Sequence, residues 1–295
     1  MVRFGLRQAG LFGVGLLGAL LLAAAVAALP SVRDAFFPAF FQRLLQLVQF
    51  DFGASVLSAR PAVAEFAGRL AATLELVGSG ALIALLVGTP LGVAFGMRRS
   101  LRAVSPLIQI AAAAPVFCAS LALIWLAVNV LGWRDLRPDG TDFFHALTTG
   151  DNALLTHAFH IFALPALTVG AVGAAAVQLV MRRAIADAAD EPYRRSLKLM
   201  GLSAFEIERA YVAPQVLAHL FDNLGEIVLA LFSAAAIAEW MFGWPGAALL
   251  FVKSVALHDW SVVALILLAF VTIKLAADFV GALCAYALAH PVRAA

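Results

Sequence analysis

The chain has 295 residues, of which 63% are hydrophobic and 13% are charged, and its formal net charge is +2. Soluble domains have about 45–50% apolar and about 25% charged residues, so this composition excludes an ordinary soluble protein and indicates a surface that faces lipid. The small net charge does not favour nucleic-acid binding, and the two cysteines, Cys118 and Cys284, lie in apolar stretches where they are expected to pack as small core residues.

Six apolar stretches are long enough to cross a bilayer, which takes about 20 residues of helix. They are residues 9–29, 74–96, 106–130, 161–181, 224–240 and 262–289. The first stretch follows two arginines but is longer than the roughly 7–15 residues of a signal-peptide core, so we interpret it as a retained span. We therefore predict an all-α membrane protein with one transmembrane domain.

The basic residues of the connecting segments predict the orientation. With the N-terminus in the cytoplasm, the inside segments hold twelve Lys and Arg residues, whereas the longer outside segments hold seven. Because positive residues are enriched on the cytoplasmic side, both termini are predicted to be cytoplasmic. The outside segments are then residues 30–73, 132–160 and 241–261, and the longest inside segment is 182–220.

Three glycines of the second predicted span lie four residues apart, at Gly88, Gly92 and Gly96. Small residues at this spacing form a helix face that a second helix can approach closely. The pattern predicts a tight helix–helix contact.

The inside segment 182–220 opens with a predicted short helix. Asp190, Glu191 and Pro192 are typical of a helix start, because acids favour the first turn and proline loses no hydrogen bond there. Tyr193–Met200 carries apolar residues at helical spacing, and Gly201 suits the left-handed position that ends a helix.

A second helix is predicted to follow directly. Ser203 and Glu206 have the spacing of a capping box, and Pro214 is predicted to end the helix near Val212. The pattern alone leaves two interpretations open. The segment is either an amphipathic connector that lies on anionic lipid or a docking element for a cytoplasmic protein.

The same segment resembles the cytoplasmic coupling loop of ABC-importer permeases. Gly201 is followed, after nine residues, by Tyr211-Val212-Ala213-Pro214, which matches the ending of that loop. The Glu-Ala-Ala that many such permeases carry before the glycine is replaced by Arg195-Ser196-Leu197. With this replacement and with Tyr193 at its start, the loop resembles that of the dipeptide/oligopeptide/nickel branch of the family.

Further segments, in order along nearly the whole chain, resemble the same branch. They are Asp51–Ser55, Arg60-Pro61, Ala72–Leu76, Leu164–Thr168, Glu239–Gly246 and His258–Val263. Two features depart from the branch. The terminal Tyr286–Val292 differs from the usual ending and lies farther from Asp278 than in the family, and Lys274 stands where asparagine is common.

The resemblance implies a type I ABC-importer permease of the bacterial inner membrane, with peptides as the cargo; nickel, a metallophore, haem or another small solute is the alternative. It implies a second permease, one or two cytoplasmic ATPases and a periplasmic or lipid-anchored solute-binding protein as partners. The residues implied to couple to an ATPase are Tyr193, Arg194, Arg195, Ser196, Leu197, Lys198, Met200, Gly201 and Pro214. No Walker A pattern occurs in the chain, so ATP and Mg²⁺ are expected on the partner ATPases, with no cofactor or metal on this chain.

Three ionisable residues lie within predicted spans. A charge there costs at least about 2.5–3.5 kcal/mol on insertion scales, so such residues are expected to face the bundle interior. Lys274 and Asp278 stand four apart and can pair, which favours a structural pair over a substrate contact. Glu226 has no partner nearby in the sequence, and it either lines a pathway or lies near the inner interface.

The turn after the fifth span is the predicted outer gate. Trp240 and Trp244 suit a membrane–water interface, and Pro245-Gly246 predicts a chain reversal that brings Glu239 and Trp244 near the mouth of the pathway. An interfacial anchor without a gating role is the alternative.

Two other classes of function remain less favoured by the sequence. A secondary transporter normally shows internal repeats and broken helices, and we find no convincing repeat. An intramembrane enzyme needs a nucleophile with a base, but Ser79 has no histidine in any predicted span to activate it.

Overall fold

The computed structural model describes residues 2–31, 35–56, 58–97, 115–133, 148, 152–190 and 193–293. These residues are helical apart from short turns and one isolated bridge between Ala54 and Pro61. The helices are α1 (Val2–Ala27), α2 (Phe36–Val48), α3 (Ala62–Met97), α4 (Val116–Asn129), α5 (Asn152–Asp190), α6 (Tyr193–Leu199), α7 (204–222), α8 (Leu224–Phe242), α9 (Ala247–Ala256) and α10 (Trp260–Arg293).

Among the described residues, five helices are long and apolar enough to cross a membrane. They are α1, α3, α5, α8 and α10, and they correspond to the first, second, fourth, fifth and sixth predicted spans. For the third span, α4 covers Val116–Asn129, while residues 106–114 lie outside the described residues.

The spanning helices extend beyond the apolar windows that predicted them. Helix α3 begins at Ala62 rather than Leu74, and α5 continues past Met181 to Asp190. Charged residues at these helix ends lower the local hydropathy without interrupting the helical backbone. The predicted outside segments are therefore partly helical, since 30–73 contains α2 and 241–261 contains α9.

The first and last spans run antiparallel along their length. The rings of Phe4 and Tyr286 stack with centroids 4.4 Å apart, and those of Phe12 and Phe279 are 5.8 Å apart. The inner part of α8 also lies beside the C-terminal half of α10, where Gly225 touches Asp278. The two chain ends and α7 thus share one end of the bundle, as the predicted orientation requires.

The glycines of α3 form the predicted close contact with α5. A Cβ atom on Gly88 would overlap the backbone of Ala174, and one on Gly92 or Gly96 would overlap Met181 or Ile185. Helix α5 is the centre of the main core and packs against α3, α4, α7 and α8. The expectation for the cysteines is wrong for Cys118, which is exposed on α4.

Candidate functional site

Helix α6 forms as predicted, and the residues at its end are strongly exposed. Leu199 is 89% exposed and Met200 is 75% exposed, while Ser196 and Lys198 also face outward. Large apolar side chains in this position, on a loop outside the spans, are typical of a surface that binds a partner. The side chains of residues 193–195 lie outside the described residues, as do Glu191 and Pro192. Asp190, predicted at the start of α6, is the last residue of α5.

The turn after α6 is a complete Schellman motif. Gly201 has φ +89°, its N–H donates to the Lys198 carbonyl at 3.1 Å, and the Leu202 N–H donates to the Leu197 carbonyl at 3.2 Å. Leu197 and Leu202 both pack against the main core. These bonds satisfy the open carbonyls at the helix end and fix the direction in which the chain leaves α6.

The predicted capping box opens α7. The Glu206 N–H donates to Ser203 Oγ at 3.3 Å, and the Ser203 N–H donates to Glu206 Oε2 at 2.8 Å. The Ser203 hydroxyl also donates to Glu206 Oε2 at 2.7 Å, and these two bonds lower the pKa of the Glu206 carboxyl below its usual value. Hydrogen bonds therefore satisfy backbone groups at both ends of this turn, at the end of α6 and at the start of α7.

The prediction that Pro214 ends the second helix is wrong. Helix α7 continues to Asp222, and Pro214 lies in its first regular turn after a wide π-helical turn at Glu208–Val212. The wide turn changes the spacing of the carbonyls ahead of the proline, which relieves the clash that proline makes within a regular helix. The buried side chains of α7 face α5 and α10, so the segment that follows the turn is packed against two spans.

An ionic cluster joins the inner parts of α8 and α10. Lys274 Nζ lies 2.6 Å from Asp278 Oδ2, which confirms the predicted pairing, and 3.3 Å from Glu226 Oε1. Sequence reasoning missed the Glu226 contact because it joins different helices, and a single sequence gives no signal for it. We call Glu226, Lys274 and Asp278 the inner ionic cluster.

The close approach of two helices produces this cluster. The Asp278 carboxylate lies directly over Gly225, and Gly281 lies against the Phe221 carbonyl. A side chain at Gly225 would displace the Asp278 carboxylate, and one at Gly281 would push α10 away from the end of α7 and the start of α8. The inner ionic cluster therefore depends on these two glycines as well as on its charges.

At the outer end, Glu239 is fully buried and joins three helices. Its carboxylate accepts from the Thr73 hydroxyl at 2.6 Å and from the Leu249 N–H at 2.8 Å. The Thr73 hydroxyl oxygen in turn accepts from the Ala247 N–H at 2.8 Å. These hydrogen bonds hold α3, α8 and α9 together. We call Thr73 and Glu239 the outer polar contact.

Trp244 is not the interfacial residue that the sequence predicted. It is buried, its indole N–H donates to the Ala72 carbonyl at 3.0 Å, and its ring lies 5.6 Å from Phe162. Trp240 is 60% exposed and retains the interfacial interpretation. The predicted chain reversal is present, since Gly243 ends α8 with φ +70°.

A second buried carboxylate, Asp259, ties the segment after α2 to the start of α10. It accepts from the Ser55 hydroxyl at 2.5 Å and from the Val56 N–H at 3.0 Å. Ser55 and Asp259 both lie in segments that resemble the permease family, but nothing in the sequence indicated that these two segments touch. The described residues contain no group of three or more His, Cys, Asp or Glu side chains that could hold a metal ion.

Comparisons with known proteins agree with this architecture. Residues 61–290 match the family described as binding-protein-dependent transport system inner membrane component. The chain is 29% identical over 259 residues to the "Probable D,D-dipeptide transport system permease protein DdpB" of Escherichia coli (strain K12), which covers 81% of this chain and 76% of the relative. It is 27% identical over 246 residues to the glutathione transport system permease protein GsiC of Salmonella typhimurium (81% and 75% covered) and 27% identical over 231 residues to the dipeptide transport system permease protein DppB of Haemophilus influenzae (73% and 69% covered).

Proposed function

Because this chain belongs to the family of binding-protein-dependent transport system inner membrane components, we propose that it carries short peptides across the inner membrane and is driven by ATPases that dock on α6. The chain is a multi-pass permease subunit of an ABC importer, not its ATPase. An ABC importer contains further components, so the chain acts within a complex.

The geometry between α6 and α7 is the observation that carries the docking proposal. A short helix with exposed Leu199 and Met200 is held at a fixed angle by the Gly201 turn and the Ser203 cap. An amphipathic helix that enters a groove on a partner is a recurrent mode of recognition. We assign that groove to one or two cytoplasmic ATPases, which hold the ATP and Mg²⁺.

The proposed mechanism is alternating access. ATP binding closes the ATPase pair and displaces α6, and α7 passes this displacement to α5 and α10, against which its apolar side packs. The spans then open toward the outside, where a solute-binding protein releases its cargo between this chain and a second permease. Packed helices transmit such a displacement because a close-packed interior has low compressibility.

Peptides are the cargo class that the relatives favour. The relatives named above are a D,D-dipeptide, a glutathione and a dipeptide permease by name. The alternative cargo, implied by the resemblance to the dipeptide/oligopeptide/nickel branch, is nickel, a metallophore, haem or another small solute. The sequence of the cognate solute-binding protein decides between them, because that protein selects the cargo first.

Reconstitution of the complete transporter tests the proposal. We expect proteoliposomes with the two permeases, the ATPases and the binding protein to accumulate dialanine when ATP is supplied on the ATPase side. Uptake is expected to stop when the binding protein is omitted. Accumulation of dialanine by this chain alone, driven by a proton gradient, would contradict the proposal and favour a secondary transporter.

Replacement of Gly201 by valine is expected to uncouple the transporter. Gly201 has φ +89° and no atom within 4 Å of its position for a side chain, so the cost is backbone strain and not a clash. The expected result is normal insertion, with cargo-stimulated ATP hydrolysis reduced at least about tenfold, since strain of about 1–3 kcal/mol redirects α6.

The matched control for this variant is Gly201→Asn, because asparagine tolerates the left-handed conformation. It is expected to keep most of the stimulation. Normal cargo-stimulated hydrolysis in Gly201→Val would show that the direction of α6 does not govern coupling.

A further inference from the structure

One side of α8 is exposed in the described part of the chain, and Glu226 on this side contacts Lys274 of α10. Glu226, Leu229, Ser233 and Trp240 recur along it at helical spacing and are all exposed. Beside this face lies a groove of about 450 Å³ between α8, α9 and α10. Its walls include Phe232, Ser233, Phe251, Phe270 and Val271, and Lys274 of the inner ionic cluster lines it as well.

The charges on this face decide what can cover it. The Glu226 side chain is 68% exposed, and those of Lys274 and Asp278 are 28% and 38% exposed. Ionised groups are expensive in hydrocarbon, so a face that carries three of them is disfavoured beside lipid tails and favours water or a protein partner. By contrast, the exposed side chains of α1 between Leu11 and Leu22 are apolar or small, which suits lipid.

The charges of the inner ionic cluster do not cancel. One ammonium group bonds to two carboxylates, so the ionised cluster carries a net charge of −1. Glu226 makes the longer of the two contacts and is the more exposed carboxylate. A second permease packed directly on the cluster would have to bury this charge, whereas a water-filled pathway keeps it solvated.

We propose that this face of α8 and α10 lines the aqueous pathway and that Glu226 attracts a cationic group of the cargo, with an apolar side chain of the cargo in the groove. The α-ammonium group of a peptide provides that cation, so the inference rests on the proposed function and adds the position and charge preference of the pathway. A cargo carboxylate is disfavoured beside Glu226 for the same reason.

A pair of small charged thiol reagents tests the position and the charge independently of transport. The free cysteines Cys118 and Cys284 are first replaced by serine in the complete transporter, and Ser233→Cys then places one thiol in the groove. The cationic reagent is trimethylammonium-ethyl methanethiosulfonate and the anionic reagent is sulfonatoethyl methanethiosulfonate. Leu17→Cys on α1, 56% exposed, is the lipid-facing control.

We expect both reagents to modify Ser233→Cys in membrane vesicles and neither to modify Leu17→Cys efficiently. Each rate is divided by the rate of the same reagent with 2-mercaptoethanol, which removes the intrinsic difference between the reagents. The normalised rate of the cationic reagent is expected to be about two to four times that of the anionic reagent at low ionic strength, since Glu226 lies two helical turns away, about 10 Å. Adding Glu226→Gln should reduce this ratio toward one. Adding Lys274→Gln should increase it, because the net charge becomes more negative.

The outcomes separate this inference from the proposed function. Equal normalised rates for the two reagents would overturn the charge preference, and protection of Ser233→Cys from both would show that lipid or a partner covers the face. Either result leaves ATP-driven uptake by the parent transporter unaffected. If the unmodified transporter does not take up peptide, but the two reagents still show the expected ratio of rates at Ser233→Cys, only the proposed function is contradicted.

Discussion

Replacement of Gly88 by leucine is expected to prevent stable folding of this permease, whereas the same replacement at Gly78 is expected to be tolerated. A Cβ atom on Gly88 would lie 2.6 Å from the Ala174 carbonyl oxygen and 3.0 Å from the Ala174 Cα atom. Both are backbone atoms and cannot rotate away, so α3 and α5 would have to separate. Gly78 lies on the same helix, but a Cβ atom there meets nothing within 4 Å.

The expected loss is large because α5 is the centre of the core. Overpacking alone costs about 1–3 kcal/mol, and the separation would also weaken the contacts of Gly92 and Gly96 with the same helix. Thermal unfolding in detergent, followed by size-exclusion chromatography, measures the effect. A Gly88→Leu protein as stable as Gly78→Leu would show that the two helices do not pack as closely as described.

Replacement of Glu239 by alanine is expected to have the second largest effect. The change removes the acceptor for the Thr73 hydroxyl and the Leu249 N–H, both of which are buried. A buried donor without a partner costs about 1–3 kcal/mol, so the two together cost about 2–6 kcal/mol. We expect the outer ends of α3, α8 and α9 to loosen and the unfolding temperature of the purified subunit to fall.

Thr73→Val provides the matched comparison for Glu239→Ala. It removes the hydroxyl while it keeps the volume, and the double variant is expected to lose less stability than the sum of the two single variants. Glu65→Ala, in the first turn of the same helix as Thr73, is expected to change stability little. Additive losses in the double variant would contradict a direct contact between Thr73 and Glu239.

The outer polar contact lies in the segment that the sequence predicts to be an outer gate. Ala247 is fully buried, and its N–H donates to Thr73 in the turn that holds Trp244. Gating by Glu239 and Trp244 stays a prediction. A cysteine at Ala247 is expected to resist a membrane-impermeant thiol reagent at rest and to react when ATP hydrolysis is trapped with the binding protein present.

The sequence was sufficient to predict features that depend on residues close together in the chain. Apolar length predicted the spans, the four-residue spacing of Gly88, Gly92 and Gly96 predicted the contact with another helix, and Gly201 with Ser203 predicted the turn after α6. Each of these depends on residues within a few turns of one another. The backbone preference of glycine and the reach of a short side chain determine them before the helices assemble.

The partners in contacts between distant segments could not be predicted from the sequence, because they depend on how helices are placed side by side. The bond from Ser55 to Asp259 and that from Glu226 to Lys274 join different helices or segments. The prediction that Pro214 ends the helix was wrong for a different reason, because the wide turn at Glu208–Val212 accommodates the proline. The sequence placed Trp244 at the interface because it gave no sign of the contacts with α3 and α5 that bury this residue.

Cross-linking of α6 to the ATPase tests the central claim most directly. Single cysteines are placed at each position from 193 to 200 in a transporter without Cys118 and Cys284, and oxidative cross-linking to a cysteine scan of the ATPase groove is measured in membranes. A cysteine at Leu29, two residues after the C-terminal end of α1, is the control. We expect efficient cross-linking at one or more positions, strongest at the exposed Lys198, Leu199 and Met200, and none at Leu29. A fully assembled transporter that hydrolyses ATP and takes up cargo, yet gives no cross-link at any position from 193 to 200, would contradict the docking of this helix.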